Sequence, residues 1–291
     1  MIGVLMMDRL PNSNMSEFWN GDGGQNWVYF QKRMDVSLAH FGQEAMARAA
    51  LSVGESVLDI GCGCGDTSFA LSRRVGPGGH VLGIDISAPI LTQARARSDL
   101  VAQDNLIFEC TDAQTHSFTQ AAFDVVFSRF GVMFFDDPIT AFSNIRQALK
   151  PGGRIALICW QTAICNEWVS LPFDVVANHL ALPAPPGPDE PGAFSFGDTK
   201  RVHHVLTRAG YSDISIDGFE ASFNVGSKLE EAVAFLTRMG PASGVVSQPE
   251  VDELTRFRIT TELGDALEPY VTKHGVVLDA ATWIITARKS F

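Results

Sequence analysis

The densest chemistry in the chain lies between residues 57 and 85. The run Val57-Leu58-Asp59-Ile60-Gly61-Cys62-Gly63-Cys64-Gly65-Asp66 passes from an apolar stretch into glycine at every second position, then into a helical pattern. Glycines in such a turn let the backbone reverse sharply and let a ligand lie against bare main chain. The helix that follows offers unsatisfied N–H groups and a positive dipole end, suited to a carboxylate or phosphate. Asp85 closes the next apolar run, where a carboxylate can accept from both hydroxyls of a ribose. Loop, helix terminus and acid together predict a nucleoside pocket.

Two cofactors compete for that pocket. The dinucleotide fingerprint G-x-G-x-x-G is broken here by Cys64 and Gly65. Asp59 would meet a pyrophosphate unfavourably but suits the ammonium and sulfonium charges of S-adenosylmethionine. The pattern D-x-G-x-G-x-G therefore favours the sulfonium cofactor over NAD(P).

The elements that must position these residues alternate regularly. β-Branched apolar runs at 56–60, 80–86, 105–110, 123–128 and 154–160 read as buried strands, with helical stretches at about 66–75, 88–98 and 138–149 between them. Such alternation implies βαβ units and a doubly wound, mostly parallel sheet of the Rossmann-like α/β class. Lys150-Pro151-Gly152-Gly153 reads as a helix stop and a turn into the next strand. Upstream, residues 17–51 carry apolar side chains three or four apart, and Asn20 to Gly24 divide them into two helices. The chain thus reads as an N-terminal helical lid (1–51), a cofactor-binding core (52–160), a Pro- and aromatic-rich insertion (161–197) and a C-terminal part (198–291). Within these fall a helix at 166–181 and another at 199–209. A strand near 213–223 and a last one at 281–288 flank a helical insertion at about 228–267.

On these residues the chain resembles the class I S-adenosylmethionine-dependent methyltransferases, in particular the small-molecule branch similar to ubiquinone and menaquinone biosynthesis enzymes. The resemblance is strong over 53–160. Beyond the glycine loop it includes Gly83-Ile84-Asp85-Ile86-Ser87, Cys110-Thr111-Asp112-Ala113, Phe123 to Arg129, and Leu149-Lys150-Pro151-Gly152-Gly153-Arg154. It implies a seven-stranded sheet ending in an antiparallel hairpin. It also implies that Gly61, Cys62, Gly63 and Gly65 pass under the cofactor while Asp59 meets its amino group. Asp85 would take the ribose hydroxyls, Ile86 the adenine face, and Asp112 with Ala113 the adenine edge. Ser128 would face the cofactor and Arg129 the substrate entrance.

Methyl transfer from a sulfonium is an in-line displacement that chiefly needs alignment and exclusion of water. A hydroxyl or carbon acceptor also gains from a general base. The sequence does not isolate one: His116, His179 and Tyr29 are the candidates, and the reaction can run without any. Trp27, Trp160 and Trp168 supply aromatics for a lid and an apolar acceptor pocket.

The balance of 22 basic against 33 acidic residues leaves a net charge of −11, which argues against nucleic acid and for a small acceptor. Five cysteines form no disulfide or metal framework and point to a reducing, cytoplasmic setting. The apolar stretch at the N-terminus is too short for a signal peptide, and no run reaches membrane-spanning length. A homo-oligomer is compatible with all of this. The open alternatives are an NAD(P)-dependent reductase and a non-catalytic S-adenosylmethionine-binding protein.

Overall fold

The computed structural model describes residues 10–100, 103–187 and 189–290, so the N-terminal apolar stretch and Pro188 lie outside the described residues. In chain order the helices are α1 (Ser13–Asn20), α2 (Asp22–Tyr29), α3 (Gln31–Arg48), α4 (Asp66–Val75), α5 (Ala88–Leu100) and α6 (Pro138–Ala148). They continue as α7 (Glu167–Ala177), α8 (Thr199–Arg208), α9 (Leu229–Leu236), α10 (Ser243–Val246) and α11 (Glu253–Leu267). The strands are β1 (Ser56–Ile60), β2 (His80–Asp85), β3 (Leu106–Cys110), β4 (Phe123–Arg129), β5 (Leu149–Trp160), β6 (Tyr211–Gly226), β7 (Val271–Thr272) and β8 (Gly275–Lys289).

The main strands form one sheet in the order β3-β2-β1-β4-β5-β8-β6, with the two-residue β7 paired to β8. The first five run parallel, and β8 is antiparallel to both β5 and β6. Helices cover both faces, so the central strands are apolar throughout; Val57, Leu58, Ile155 and Leu157 have no exposed surface. The chain reverses its strand order between β1 and β4, and this switch point opens a crevice at the carboxyl edge. β1 and β2 deliver the glycine loop and Asp85 to that edge, and β5 and β6 deliver Trp160 and Phe223.

The structure departs from the sequence reading in three places. Lys150 to Gly153 make a bulge inside β5, because Phe123 already pairs with Leu149 before the register shifts to Val125 with Arg154. Among the described residues the N-terminal region holds three helices, and only Gly21 separates the first two. Gly23 and Gly24 lie inside α2: a Cβ on Gly24 would stand 2.0 Å from the Trp19 carbonyl oxygen, so that glycine serves close packing. The terminal hairpin is also much longer than 213–223 and 281–288. Its registered pairs run from Tyr211 with Lys289 to Gly226 with Val276. Asp217, Glu220 and Asp279 interrupt the apolar pattern on its exposed face, which hides those lengths of strand from the sequence.

Candidate active site

The turn after β1 is built by backbone conformation. Gly61, Gly63 and Gly65 have φ of 63°, 58° and 86°, a region that costs other residues strain. Each glycine also answers a particular neighbour. A Cβ on Gly61 would stand 2.6 Å from Gly131 Cα, and one on Gly65 would stand 2.7 Å from the Phe108 ring. On Gly63 it would approach Trp27 Nε1 to 3.3 Å. The loop is pinned to β2 because Asp85 Oδ2 accepts from the Gly63 amide and Oδ1 from the Ser87 amide, both at 2.9 Å. A carboxylate has about four acceptor positions, so Asp85 keeps capacity for a ligand beside these amides. Burial raises the carboxyl pKa of Asp85, against the amides of Ser87, Gly63 and Ile86, which favour the charged form.

Behind the loop, Asp59 is fully buried. Its Oδ2 accepts from the hydroxyls of Thr67 (2.7 Å) and Ser68 (2.6 Å), tying the first turn of α4 to β1. Its Oδ1 has no partner among the described residues. Burial, above all, pushes this carboxyl up to about 6.

A cavity of about 770 Å³ opens along the carboxyl edge, within the ~300–1,000 Å³ of small-molecule sites. One end is lined by Gly61, Gly63, Asp85, Ile86, Asp112 and Ala113. The other is lined by Phe130, Trp160, Trp168, Phe223, Phe235 and Met239. The N-terminal helices form a third wall with Trp19 and Trp27, whose rings meet edge to face at 5.9 Å. Three polar contacts fasten that wall to the turn after β2. Ser87 Oγ donates to the Trp19 carbonyl at 2.6 Å, Asn20 Nδ2 donates to the Ile86 carbonyl at 3.1 Å, and the Ala88 amide donates to Asn20 Oδ1 at 3.0 Å. Ahead of α1, Asn12 is buried at a φ of 54°. Its Nδ2 lies 2.9 and 3.0 Å from the two carboxylate oxygens of Asp112. Its backbone N–H donates to Asp136 Oδ2 at 2.6 Å, and its Oδ1 accepts from the Asp136 amide at 2.7 Å.

Residues 57–153 match the model of a methyltransferase domain. The demethylmenaquinone methyltransferase of Lactococcus lactis is 38% identical over 178 residues, which are 58% of this chain and 70% of that protein. The chain belongs to the class I S-adenosylmethionine-dependent methyltransferases. S-adenosylmethionine is accordingly its cofactor, and the dinucleotide alternative is set aside. The aklanonic acid methyltransferase DauC of a Streptomyces species is also 38% identical, over 103 residues that are 35% of this chain and 47% of that protein. The fold agrees with that of a Bacillus halodurans putative methyltransferase, with a TM-score of 0.56 at 21% identity over 86% of this chain and 99% of that one. It also agrees with the Haemonchus contortus phosphoethanolamine N-methyltransferase 2 solved with S-adenosyl-L-methionine, at a TM-score of 0.57 and 18% identity over 95% and 60% of the two chains.

The methyltransferase chain fits its cofactor on two observations: bare main chain in the left-handed region at the loop, and a braced carboxylate with unused acceptor positions at the end of β2. The geometry sets several of the candidate residues apart from the cavity wall. Asp59, Cys62, Gly65 and Ser128 do not line the cavity among the described residues. Asp59 is turned back to hold α4, and Gly65 packs under Phe108. Ser128 is buried, its Oγ donating to the Ile60 carbonyl (2.7 Å) and accepting from the Gly131 amide (3.2 Å), so it joins the ends of β4 and β1. Arg129 does line the cavity, but its Nη1 is 2.9 Å from Asp66 Oδ2 and its charge is matched.

Trp27, Trp160 and Trp168 line the cavity, and His116, His179 and Tyr29 are not among its lining residues. His116 Nδ1 is 3.0 Å from Thr111 Oγ1, and His179 Nε2 is 2.6 Å from Glu262 Oε2. Tyr29 is exposed beneath the Arg238 guanidinium. The sequence reading passed over Asn12, Phe130, Phe223, Phe235 and Arg238. Phe130 follows β4 at a φ of 63° and stacks on Trp160 at 4.1 Å between ring centres. A non-glycine residue held there costs about 1–3 kcal/mol, which is a mark of functional sites. No local pattern announces it. The others come from segments far apart in the chain, joined only by the sheet order.

Proposed function

We propose that this methyltransferase acts on a small acceptor with a planar or lipophilic body, seated against the aromatic end of the cavity. The observation that carries the reading is the wall made by Trp160, Trp168, Phe223 and Phe235 beside the glycine loop and Asp85. The relatives named for demethylmenaquinone and for aklanonic acid support an acceptor of this size and kind. The net charge of −11 disfavours a nucleic-acid acceptor.

An electrophilic methyl on a sulfonium is the chemistry that the cofactor supplies when bound. Asp85 would accept from the ribose hydroxyls, and Gly61 and Gly63 would present bare main chain to the methionine portion. Asp59 would contribute its negative charge from beneath the loop and the rigid start of α4. Ile86, Ala113 and Asp112 would receive the adenine, with Asn12 orienting the Asp112 carboxylate. The N-terminal helices would act as a lid, and together with the segment after β5 they would exclude water.

The titratable side chains that line the cavity among the described residues are Glu17, Asp22, Asp85, Asp112, Arg129 and Arg238. The two that adjoin the aromatic wall, Arg129 and Arg238, are cations and cannot serve as bases. The acceptor atom would therefore arrive already nucleophilic, and the chain would act by alignment. A cytoplasmic setting is part of this proposal, supported by five cysteines that are all free.

Calorimetric titration with S-adenosylmethionine, S-adenosylhomocysteine and NADH tests the cofactor end. Micromolar binding of the sulfonium pair is expected in wild type, at least tenfold weaker in Asp85→Ala, because a hydrogen-bonded charge is worth about 1.5–3 kcal/mol. NADH binding without sulfonium binding would overturn the reading. A methyl-transfer assay with hydroquinones, aromatic acids, transfer RNA and casein then tests the acceptor class; turnover confined to the macromolecules would sink the small-molecule proposal.

A further inference from the structure

We infer that Arg238 at the cavity rim recognises an anionic group on the acceptor, an inference that rests on the proposed small apolar acceptor. Two cations line the cavity among the described residues, Arg129 and Arg238. Arg129 is neutralised by Asp66 at 2.9 Å and donates to the Leu38 carbonyl at 3.3 Å, with its side chain 9% exposed. Arg238 stands two residues past α9 and makes no ion pair among the described residues. Its Nη2 donates to Asn26 Oδ1 at 3.0 Å, and its guanidinium lies 4.3 Å from the Tyr29 ring centre and 5.4 Å from that of Phe30.

These partners are neutral. They orient the guanidinium across the gap between α2 and the turn after α9 while leaving its charge unmatched. One of its five N–H donors is used by Asn26, so a forked pair of donors remains for a ligand oxygen pair. Glu17 and Asp22 also line the cavity, from α1 and α2, and neither pairs with Arg238. Phe235 and Met239, on either side of Arg238 in sequence, belong to the apolar wall, so the guanidinium marks the place where that wall meets solvent. An unmatched cation at the mouth of an apolar cavity, in a chain of net charge −11, selects for one kind of ligand. That ligand has an apolar body reaching inward and a carboxylate, sulfonate, phosphate or ionised hydroxyl left at the rim. The surrounding negative field repels anions elsewhere, which makes the single cation an orienting contact.

Two fluorescent probes with one shared body test this. 8-Anilinonaphthalene-1-sulfonate carries an anionic group, and N-phenyl-1-naphthylamine lacks it. Each is titrated against the full chain as wild type, Arg238→Gln and Arg238→Lys. The expected result at low ionic strength is an approximately fivefold weaker affinity of Arg238→Gln for the sulfonate, as for an exposed ion pair. Arg238→Lys is expected to recover part of it, and the uncharged probe to bind all three alike. Equal affinity of wild type and Arg238→Gln for the sulfonate overturns the inference. So does a parallel loss for both probes, which would mark a structural role, or failure of wild type to bind the sulfonate. S-adenosylhomocysteine titration of the same samples separates the two levels. Absence of that binding strikes the function proposal, whereas its presence with no sulfonate preference strikes Arg238 alone.

Discussion

Asp59 shows how one residue joins stability to function. Burial holds its carboxyl at about 6 in the folded chain, against an ordinary value of 3.8. Between about pH 4 and pH 6 the unfolded chain has released a proton that the folded chain keeps, so stability falls as pH rises through that window and levels off above it. Asp59→Asn lacks that proton. Relative to wild type the variant is expected to gain about 2 kcal/mol from pH 4 to pH 7, read from urea midpoints. Identical pH slopes would show that Asp59 is not ionised at such a cost. The neighbouring thiols carry a second expectation. Burial pushes the Cys64 thiol up to about 12 and that of Cys62 well above its usual range. Iodoacetamide at neutral pH should therefore label the exposed Cys110 and Cys165 in the folded protein and spare Cys62 and Cys64, as mass spectrometry would show. Labelling of the loop cysteines in the native state would mean the glycine turn opens. The sequence carried the types and spacing here, but not orientation: Asp59 was legible as an acid beside the loop, and its turn toward Thr67 and Ser68 was not.

At the scale of elements, α3 is packed into the core through Leu38, Phe41 and Ala45, whereas α1 buries no residue of its own and the polar bonds of Asn12 help fasten its start to the carboxyl edge. The buried bonds of Asn12 to Asp112 and Asp136 include pairings with charged groups, each worth about 1.5–3 kcal/mol. Asn12→Ala is expected to speed dissociation of S-adenosylhomocysteine about tenfold or more in stopped-flow displacement, with the fold unchanged by circular dichroism. An unchanged rate would show that α1–α3 stay docked without it. The βαβ core was read almost to the residue, α4 to its limits of 66 and 75, because each strand there is apolar on both faces and each helix is bounded by turn residues. The hairpin, the bulge in β5 and the division of the N-terminal region were read poorly. Their limits come from pairing partners, as Phe123 pairs with Leu149, or from close approach, as Gly24 meets Trp19, and neither leaves a local pattern.

For the molecule as a whole, a net charge of −11 on one domain-sized chain means self-repulsion that folding concentrates. Sodium chloride from 0.02 to 0.5 M is expected to raise the thermal midpoint progressively by screening, whereas a falling midpoint would place the balance in favourable ion pairs such as Arg154 with Glu55. The cavity also belongs to this scale. Its glycine-loop end draws on residues within one stretch, 61–113, and its aromatic end on residues 130, 160, 168, 223 and 235. By itself the sequence determined the class of the sheet, the glycine loop, Asp85 and the sulfonium cofactor, because those depend on period, turn chemistry and charge within short windows. Only the tertiary structure decided which aromatics share a wall, that Asn12 reaches Asp112, that the candidate histidines lie away from the cavity and that Arg238 has no counter-ion among the described residues. Those facts depend on strand order, which brings β4, β5 and β6 to one edge, and on packing, which consumes one side chain's hydrogen bonds and leaves another's free.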